Sequence, residues 1–413
     1  MSRKLIFVVA GLLLLAVALA ACAGQPGQPG AAGPQGPAGP QGSEGPQGPA
    51  GPSGAEYVGS ATCSQCHEAL YTTFMKSGHP WKLTKVVDGQ APTYPFTAIT
   101  ELPAGYSWKD ISYVIGGYKW KARFMDQQGN IITDEPGKTG NADYLNQYNF
   151  ANPLVGEDAG WVKYNSGKEK LPYNCGACHT TGYSAWPPDS HQDDRAGIVG
   201  TWQEAGIQCE ACHGPGSLHA SNPQGVRLEV ERSPDLCGDC HDRGAQETVD
   251  AKGGFIEHHE QYEELFQSKH ITLDCVLCHD PHAGVEQLRQ AGKQTTRTKC
   301  ESCHFKEAQY QDSAVHPAVA ACIDCHMPFV GKSAWGNAAK FTGDVRTHLM
   351  AIDPKQIDQF YTVTAADGTT KDFSLSQIGL NFACRHCHVE GGSATVKTDA
   401  ELIEKATGYH NTP

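Results

Sequence analysis

The hydrophobic pattern of this chain changes character twice along its length. An unbroken apolar run of 17 residues extends from Leu5 to Ala21, directly after Arg3 and Lys4. Between residues 118 and 124 apolar and cationic residues alternate, and beyond residue 174 apolar residues come only in short groups. The pattern predicts an export segment, one stretch of β-structure, and a long region too interrupted to build an ordinary hydrophobic core.

The alternating stretch predicts a strand with one apolar face and one cationic face. A turn at residues 127–130 returns the chain through Ile131 and Ile132, so we expect a small β-hairpin in the cysteine-free insertion 81–174. We interpret the cationic face as solvated. The alternative is a face that guides an anion or binds an acidic partner. The apolar face is Tyr118, Trp120, Ala122 and Phe124, and the cationic face is Lys119, Lys121 and Arg123.

The apolar run is short for a membrane-spanning helix and ends in Leu19-Ala20-Ala21-Cys22. This ending resembles a bacterial lipobox, which implies cleavage before Cys22 and lipidation of its thiol. We assign residues 1–21 as a lipoprotein signal peptide, with an uncleaved signal anchor as the alternative. Both interpretations place the rest of the chain outside the cytoplasm on a bacterial membrane, in the periplasm or at the cell surface.

From Gly24 to Gly54 every third residue is glycine, and proline and glutamine fill many of the positions between. Ten such triplets span on the order of 90 Å in polyproline geometry. Residues 22–55 are therefore expected to form a collagen-like Gly-X-Y tether behind the lipidated Cys22. It is either a stiff monomeric spacer or the stalk of a homotrimer.

Candidate chemistry is concentrated in the pentapeptide C-x-x-C-H, which occurs eight times. With 17 cysteines and 19 histidines in 413 residues, chance would give about 0.03 copies. In this pattern two thiols add to the vinyl groups of haem and the adjacent histidine binds the iron. The copies are Cys63/Cys66/His67, Cys175/Cys178/His179, Cys209/Cys212/His213, Cys237/Cys240/His241, Cys275/Cys278/His279, Cys300/Cys303/His304, Cys322/Cys325/His326 and Cys384/Cys387/His388.

The eight motifs use 16 of the cysteines, and the seventeenth, Cys22, lies in the leader. No thiol remains for a structural disulfide. Zinc sites also use C-x-x-C pairs, but zinc does not explain a histidine after every second cysteine. We therefore expect eight covalently bound c-type haems as cofactors.

Beyond Cys175 the motifs follow one another at short intervals, with a wider gap only before the last. Segments of this length cannot enclose a core of their own, so the haems must form it and must lie close together. The expected fold is mainly α with much irregular loop, organised around a chain of eight haems. Residues 56–413 form this octahaem cytochrome c domain.

Eleven histidines remain outside the motifs, and eight irons each need a second axial ligand if they are closed. His259 and His270 share one face of a helix predicted from Glu257 to His270, with His258 as the alternative to His259. His191 and His410 compete for the eighth position, and His386, inside its own motif, is interpreted as a non-ligand. The expected distal ligands are His79, His219, His259, His270, His282, His316 and His348. Met75 and Met327 are alternative axial ligands.

Two regions resemble known multihaem families. The segment Tyr57-Val-Gly-Ser before Cys63, and the stretch from Cys209 to His219, resemble the tetrahaem cytochrome that accepts electrons from hydroxylamine oxidoreductase. The motif at Cys322, with His316 before it and His348 after it, resembles the C-terminal haem region of pentahaem nitrite reductases. These resemblances imply electron-transfer or oxidoreductase chemistry at haem.

If every iron has two histidines, no haem can bind a substrate, so the sequence favours an electron relay. Electrons would pass between membrane-side donors and a periplasmic or external acceptor through redox partner proteins. The alternative is an octahaem oxidoreductase acting on nitrite, hydroxylamine or tetrathionate at one open haem, and no catalytic residue is assigned. The net charge of −13, with the haem propionates added, argues against nucleic acid as a partner.

Overall fold

The computed structural model describes residues 54–258, 260–309 and 316–411. The leader, Cys22 and nearly all of the collagen-like segment lie outside the described residues, as does His259. The predictions for these parts of the chain therefore stay predictions. Within the described ranges, no helix is long and apolar enough to cross a membrane.

Twelve α-helices of four to eight residues occur in the described residues, and half of them contain cysteines of a C-x-x-C-H motif. Residues at positions i, i+3 and i+4 of a helix lie on one face, so one turn presents both thiols and the histidine to the same side. The α-helices are Ser60–Ser64, Glu68–Phe74, Gly176–His179, Cys209–His213, Ser217–Ser221, Pro234–His241, Gln261–Gln267, Cys275–Cys278, Val285–Gln290, His316–Val319, Cys322–His326 and Asp399–Ala406. A π-helical turn, Asn381–Arg385, contains Cys384.

The first motif departs slightly from this arrangement. Its helix ends at Ser64, so Cys63 lies inside the helix, whereas Cys66 and His67 lie in the turn that follows. The N–H groups of Cys66 and His67 donate to the carbonyl oxygen of Cys63, at 3.2 and 2.9 Å respectively. These bonds continue the helical path for one more turn, so the two thiols and the histidine still lie on one side.

The helix predicted from Glu257 to His270 is shorter in the structure. It spans Gln261–Gln267 and ends at Ser268, whose backbone is extended. The Ser268 hydroxyl accepts a hydrogen bond from the His270 N–H at 3.0 Å, and this kind of local bond competes with helix continuation. His270 therefore lies in a turn after the helix.

The cysteine-free insertion forms a seven-stranded antiparallel sheet. The predicted hairpin is confirmed within it, since Met125 pairs with Ile131 and Gly129 takes a φ of 87° in the turn. The prediction of a small hairpin was wrong in extent, because short strands from elsewhere in the insertion join it. The strands are β1 (Leu83–Lys85), β2 (Ile111–Gly116), β3 (Lys121–Asp126), β4 (Asn130–Ile131), β5 (Gln147–Asn149), β6 (Gly160–Val162) and β7 (Leu171–Pro172), in the order β1-β2-β3-β4-β7, with β5 between β3 and β6.

The cationic face of β3 is not solvated, which corrects the sequence interpretation. Side chains on a strand alternate between its two faces, so Lys121 and Arg123 share a face with Met125. That face packs against residues 173–205, where Tyr173 and Ile198 are fully buried beside Met125. The opposite face, with Ala122 and Phe124, is buried in a second cluster. Both faces are covered, so Lys121 and Arg123 are only partly exposed.

Further β-structure was not predicted. A second sheet has the order β11-β10-β13-β12, and its core includes Val249, Phe255, Ile256 and Ile378. A small two-stranded sheet lies next to the Cys175 motif. The strands are β8 (Thr180–Thr181) paired with β9 (Glu204–Ala205), and β10 (Val249–Lys252), β11 (Phe255–Ile256), β12 (Phe360–Thr364) and β13 (Thr370–Ser374).

Candidate haem centres and a cation cluster

Histidines from distant parts of the chain face one another in the structure. Each pair joins the histidine of a C-x-x-C-H motif to a second histidine outside any motif. Their ring centroids are 5.8 to 6.5 Å apart. The pairs are His67 with His219 (6.3 Å), His213 with His282 (6.2 Å), His241 with His79 (6.5 Å), His279 with His348 (6.0 Å), His304 with His270 (5.8 Å), His326 with His410 (5.8 Å) and His388 with His316 (6.1 Å).

These separations fit an iron held between two imidazoles. A metal-bound imidazole nitrogen lies about 2 Å from the metal, which puts two opposed ring centroids about 6.2 Å apart. The paired residues therefore match the distance that two axial histidines require. Burial also lowers the pKa of His79 and of His348 to about 3, so both rings are neutral, the form that binds a metal.

Backbone carbonyls orient several of these rings. The Nδ1 atom of His219 is 2.7 Å from the carbonyl oxygen of Val226, and that of His326 is 2.8 Å from the carbonyl oxygen of Met350. An Nδ1–H that donates to a carbonyl leaves Nε2 free to face the metal. The chain thus fixes both the position of these rings and the nitrogen that they present.

The pairing brings together six of the seven distal histidines expected from the sequence; the seventh, His259, lies outside the described residues. The sequence left the choice between His191 and His410 open, and the structure places His410 opposite His326. His191 instead bonds the Ile198 carbonyl oxygen at 2.5 Å. His386 bonds the carbonyl oxygen of Phe382 in its own turn at 2.6 Å.

Replacing His410 with alanine is expected to convert one haem from low spin to high spin. The variant removes one of two opposed imidazoles and leaves the His326 side intact. Electron paramagnetic resonance of the oxidised protein measures the change. His191→Ala is the matched control and should leave every low-spin signal in place. An unchanged spectrum for His410→Ala would show that the His326 pair does not hold an iron.

Several motif thiols are exposed on the polypeptide surface. A free cysteine is usually buried and packs as a small apolar residue. Cys66 is exposed instead, and it therefore does not belong to a core of the polypeptide itself. A haem must reach both sulfurs of its motif, so this exposure supports attachment at Cys66, which stays a prediction. The exposed motif cysteines are Cys66, Cys212, Cys300, Cys303 and Cys322.

Sulfur atoms of different motifs approach one another and so order the motifs in space. The thiols of Cys178 and Cys240 lie close enough to shift each other's pKa, as do those of Cys237 and Cys275. Burial raises the pKa of three further motif thiols, and in each case a thiol of another motif adds to the rise. These pairs are Cys63 with Cys209, Cys300 with Cys322, and Cys384 with Cys325.

These proximities place the eight motifs in a continuous array with one side branch. Cys212 lies close enough to raise the pKa of Cys237, and Cys303 raises the pKa of Cys278 in the same way. These two effects join the Cys209 motif to the Cys237 motif and the Cys275 motif to the Cys300 motif. Named by first cysteine, the array runs 63, 209, 237, 275, 300, 322, 384, and the Cys175 motif joins it at the Cys237 motif. Neighbouring haems on such motifs would lie close together, as the sequence spacing predicted.

The Cys175 motif differs from the others. Among the residues that the structure describes, no histidine ring lies opposite His179. Its Nδ1 atom is 3.2 Å from the carbonyl oxygen of Lys82, so this histidine is oriented by a backbone carbonyl, as His219 and His326 are. Burial lowers its pKa to about 4, and the charge of Lys82 adds to that effect.

Three cations lie close to this motif, and a fourth, Lys121, lies close to those three. We call the four the cation cluster: Lys82, Lys121, Arg123 and Arg243. The pKa of His179 is lowered by the charges of Lys82, Arg123 and Arg243. The charges of Arg123 and Arg243 also lower the pKa of Cys175 against the effect of burial. Burial lowers the pKa of Lys121 to about 7, and the nearby Arg123, Arg243 and Lys82 contribute to that decrease. Like charges held together in a partly buried site favour the binding of an anion.

One acidic residue balances part of this charge. Asp344 is 5% exposed, and it raises the pKa of Lys121 against the effect of burial. Sequence reasoning found the cationic character of Lys121 and Arg123 but missed Lys82, Arg243 and Asp344. No local pattern marks these three, because they come from three separate segments that meet only in the folded chain.

Known families match two parts of the chain. The family described as "Cytochrome c554 and c-prime" matches residues 157–214, which contain the Cys175 motif and the Cys209 motif. The family described as "Doubled CXXCH motif" matches residues 203–246. The first match supports the resemblance to the tetrahaem electron acceptor at the Cys209 motif.

The chain is similar to dissimilatory sulfite reductase MccA of Wolinella succinogenes, with 21% identity over 79% of this chain and 60% of that protein. It is also similar to multihaem cytochrome MtrA of Shewanella baltica, with 30% identity over 30% of this chain and 36% of that protein. This chain therefore matches less than two thirds of the length of either relative.

Among solved structures, the octahaem sulfite reductase MccA of Wolinella succinogenes superposes with a TM-score of 0.57 at 17% identity, over 87% of this chain and 72% of that one. At this identity the likeness concerns the fold alone. The repeated motifs, the opposed histidines and the matched families agree on one assignment. The chain is a multihaem c-type cytochrome.

Proposed function

We propose that this protein carries eight covalent haems and reduces a small anion at the haem of the Cys175 motif. The other seven haems supply the electrons. The observation that carries the proposal is the combination at His179: no histidine opposite it among the described residues, and the cation cluster beside it. In the paired motifs the second histidine would hold the iron position that a substrate needs.

The proposed attachment sulfurs are those of the sixteen motif cysteines, from Cys63 and Cys66 in the first motif to Cys384 and Cys387 in the last. The proposed axial ligands are the motif histidines together with the seven histidines that face them. The Cys175 haem would have His179 as its one protein ligand. A haem iron with an open axial position binds a small molecule and transfers electrons to it. The residues of this chain hold His179 in place through the Lys82 carbonyl and provide positive charge for an anion.

The substrate class follows from the charge of the cation cluster. Four cations and one carboxylate favour an anion such as nitrite or sulfite over neutral hydroxylamine. The similarity to a protein named as a sulfite reductase supports an oxyanion substrate. Because this chain matches 60% of that protein, the reaction itself remains part of the proposal.

The proposed location is outside the cytoplasm, with the protein anchored to a bacterial membrane through a lipid on Cys22. Two features support it: the leader that ends at Cys22 and the C-x-x-C-H motifs, to which haem is attached after export. Electrons would enter from redox partner proteins at one of the two ends of the array. The collagen-like segment would act as a spacer or as a trimeric stalk.

A second function, the closed electron relay, is favoured by the seven opposed pairs and the unbroken array. It requires an eighth distal ligand for the Cys175 haem. His259, which the sequence analysis expected to be a ligand, is the candidate. With that ligand in place the protein would pass electrons along the array without binding a substrate.

Electron paramagnetic resonance with added anions distinguishes the two functions. The oxidised, haem-loaded protein should show one high-spin haem, and nitrite or sulfite should remove that signal because each would occupy the open iron. A wholly low-spin spectrum that ignores both anions would support the relay. In that case His259→Ala should create a high-spin signal if His259 is the eighth ligand, with His191→Ala as the control.

A further inference from the structure

We propose that Asp344 is a positioning residue: its loop fixes the Lys121 side chain beside the anion, and its carboxylate favours the charged form of Lys121. The inference rests on the proposed function of the Cys175 haem and adds to it a pH-dependent control. Asp344 belongs to a loop of the C-terminal half of the chain, whereas Lys121 begins strand β3 of the insertion.

Asp344 is held rigidly. Its Oδ1 atom accepts a hydrogen bond from the Ser333 N–H at 2.5 Å. Its Oδ2 atom accepts from the N–H groups of Ala334 and Trp335 at 2.8 and 2.9 Å. Three backbone donors stabilise the charged carboxylate in a site where burial alone would favour its neutral form. Burial raises the pKa of Asp344 and these three donors oppose that rise, so the carboxylate has one orientation and the donors favour its charged form.

The same loop holds the start of β3. The Lys121 ammonium group donates to the Ser333 carbonyl oxygen at 2.5 Å, and the Trp120 indole N–H donates to the Asp344 carbonyl oxygen at 3.1 Å. The backbone of the loop thus orients the Lys121 side chain, and the Asp344 carboxylate supplies the charge that favours its protonation. Neither contact touches a residue that we propose as an iron ligand.

The charged groups around Lys121 come from several segments and act in opposite directions. Arg123 on the same strand, Arg243 after the helix Pro234–His241, and Lys82 before β1 all lower its pKa, whereas Asp344 raises it. Asp344 also raises the pKa of Lys119, and Lys119 forms an ion pair with Glu286. Asp344 is therefore the acidic group that opposes the three cations at Lys121.

The direction of the pH effect follows from these charges. Lys121 has a pKa near 7, so its ammonium form is present below that pH and is lost as the pH rises above it. Anion affinity should decrease over the same range. Removing the negative charge of Asp344 should lower the pKa of Lys121 further, which moves the loss of affinity to lower pH.

The test is the pH dependence of nitrite binding to the haem-loaded protein, measured from the haem absorption spectrum. Nitrite keeps a single negative charge across neutral pH, so its own titration does not interfere. In Asp344→Asn the midpoint should fall by about one pH unit, and the dissociation constant should rise about fivefold at pH 7 and about tenfold at pH 8. Asp372→Asn, on strand β13 of the second sheet, is the matched charge control and should behave as the wild type.

Lys121→Arg provides a second variant if Asp344→Asn does not fold. A guanidinium group stays charged at all accessible pH values, so nitrite affinity should no longer fall near pH 7. In the double variant Lys121→Arg with Asp344→Asn, the dependence of nitrite affinity on pH should then be the same as in Lys121→Arg alone. A wild-type midpoint in Lys121→Arg, or an unchanged midpoint in folded Asp344→Asn, would overturn the inference. If the wild type binds no nitrite at any pH, the proposed function fails as well.

Discussion

Replacing both Cys175 and Cys178 with alanine is expected to abolish anion reduction, by at least about a thousandfold, while the other motifs keep their haems. The variant removes both attachment sulfurs of the Cys175 motif. Among the described residues, the histidine of this motif, His179, faces no second histidine. The haem held there would carry out the proposed reaction. Turnover of nitrite and sulfite with a reduced dye as electron donor measures the effect. The intact mass should fall by one haem.

The matched control removes a haem from the far end of the array. Replacing Cys384 and Cys387 with alanine should also lower the mass by one haem, but nitrite should still bind with wild-type affinity. The Cys384 motif is distant in the array from the Cys175 motif, which joins it at Cys240. Full turnover in the Cys175/Cys178 variant would place the reaction at another haem.

The proposed haem-attachment residues can be identified from the sequence alone because they form a local pattern. A pentapeptide that fits one helical turn needs no information from elsewhere in the chain. Six of the histidines that the sequence proposed as distal ligands do face a motif histidine, but the sequence did not predict which one. His219 follows the Cys209 motif closely in sequence and yet faces His67, and His282 follows the Cys275 motif and faces His213.

A geometric reason underlies this exchange of histidines between motifs. A residue a few positions after a motif histidine would start on the same side of a haem held by that motif and could not reach the opposite side. It could reach a haem on a neighbouring motif instead, and His219 and His282 each face the histidine of another motif. The spacing therefore predicts that such a histidine is a ligand, while its partner depends on how the motifs pack.

The buried cationic face shows a different limit of sequence patterns. Alternation on β3 correctly predicted a strand, but alternation alone does not say what covers the polar face. That information lies in residues 173–205 and in the loop around Asp344, which are distant in sequence. The short strands of two or three residues likewise carry no readable periodicity.

Replacing Arg123 with methionine is expected to weaken nitrite binding about 10- to 100-fold with no loss of haem, because a charged hydrogen bond is worth about 1.5–3 kcal/mol. Arg123 is held for this role: its Nε–H donates to Gln147 Oε1 at 2.6 Å, and its guanidinium lies 3.4 Å from the centre of the Tyr164 ring. Absorption titration gives the dissociation constant. Lys85→Met, which removes a cation of the same sheet paired with Asp193 at 2.7 Å, should bind nitrite normally. If Arg123→Met keeps its nitrite affinity but changes the haem reduction potential, Arg123 serves a haem propionate and not the substrate.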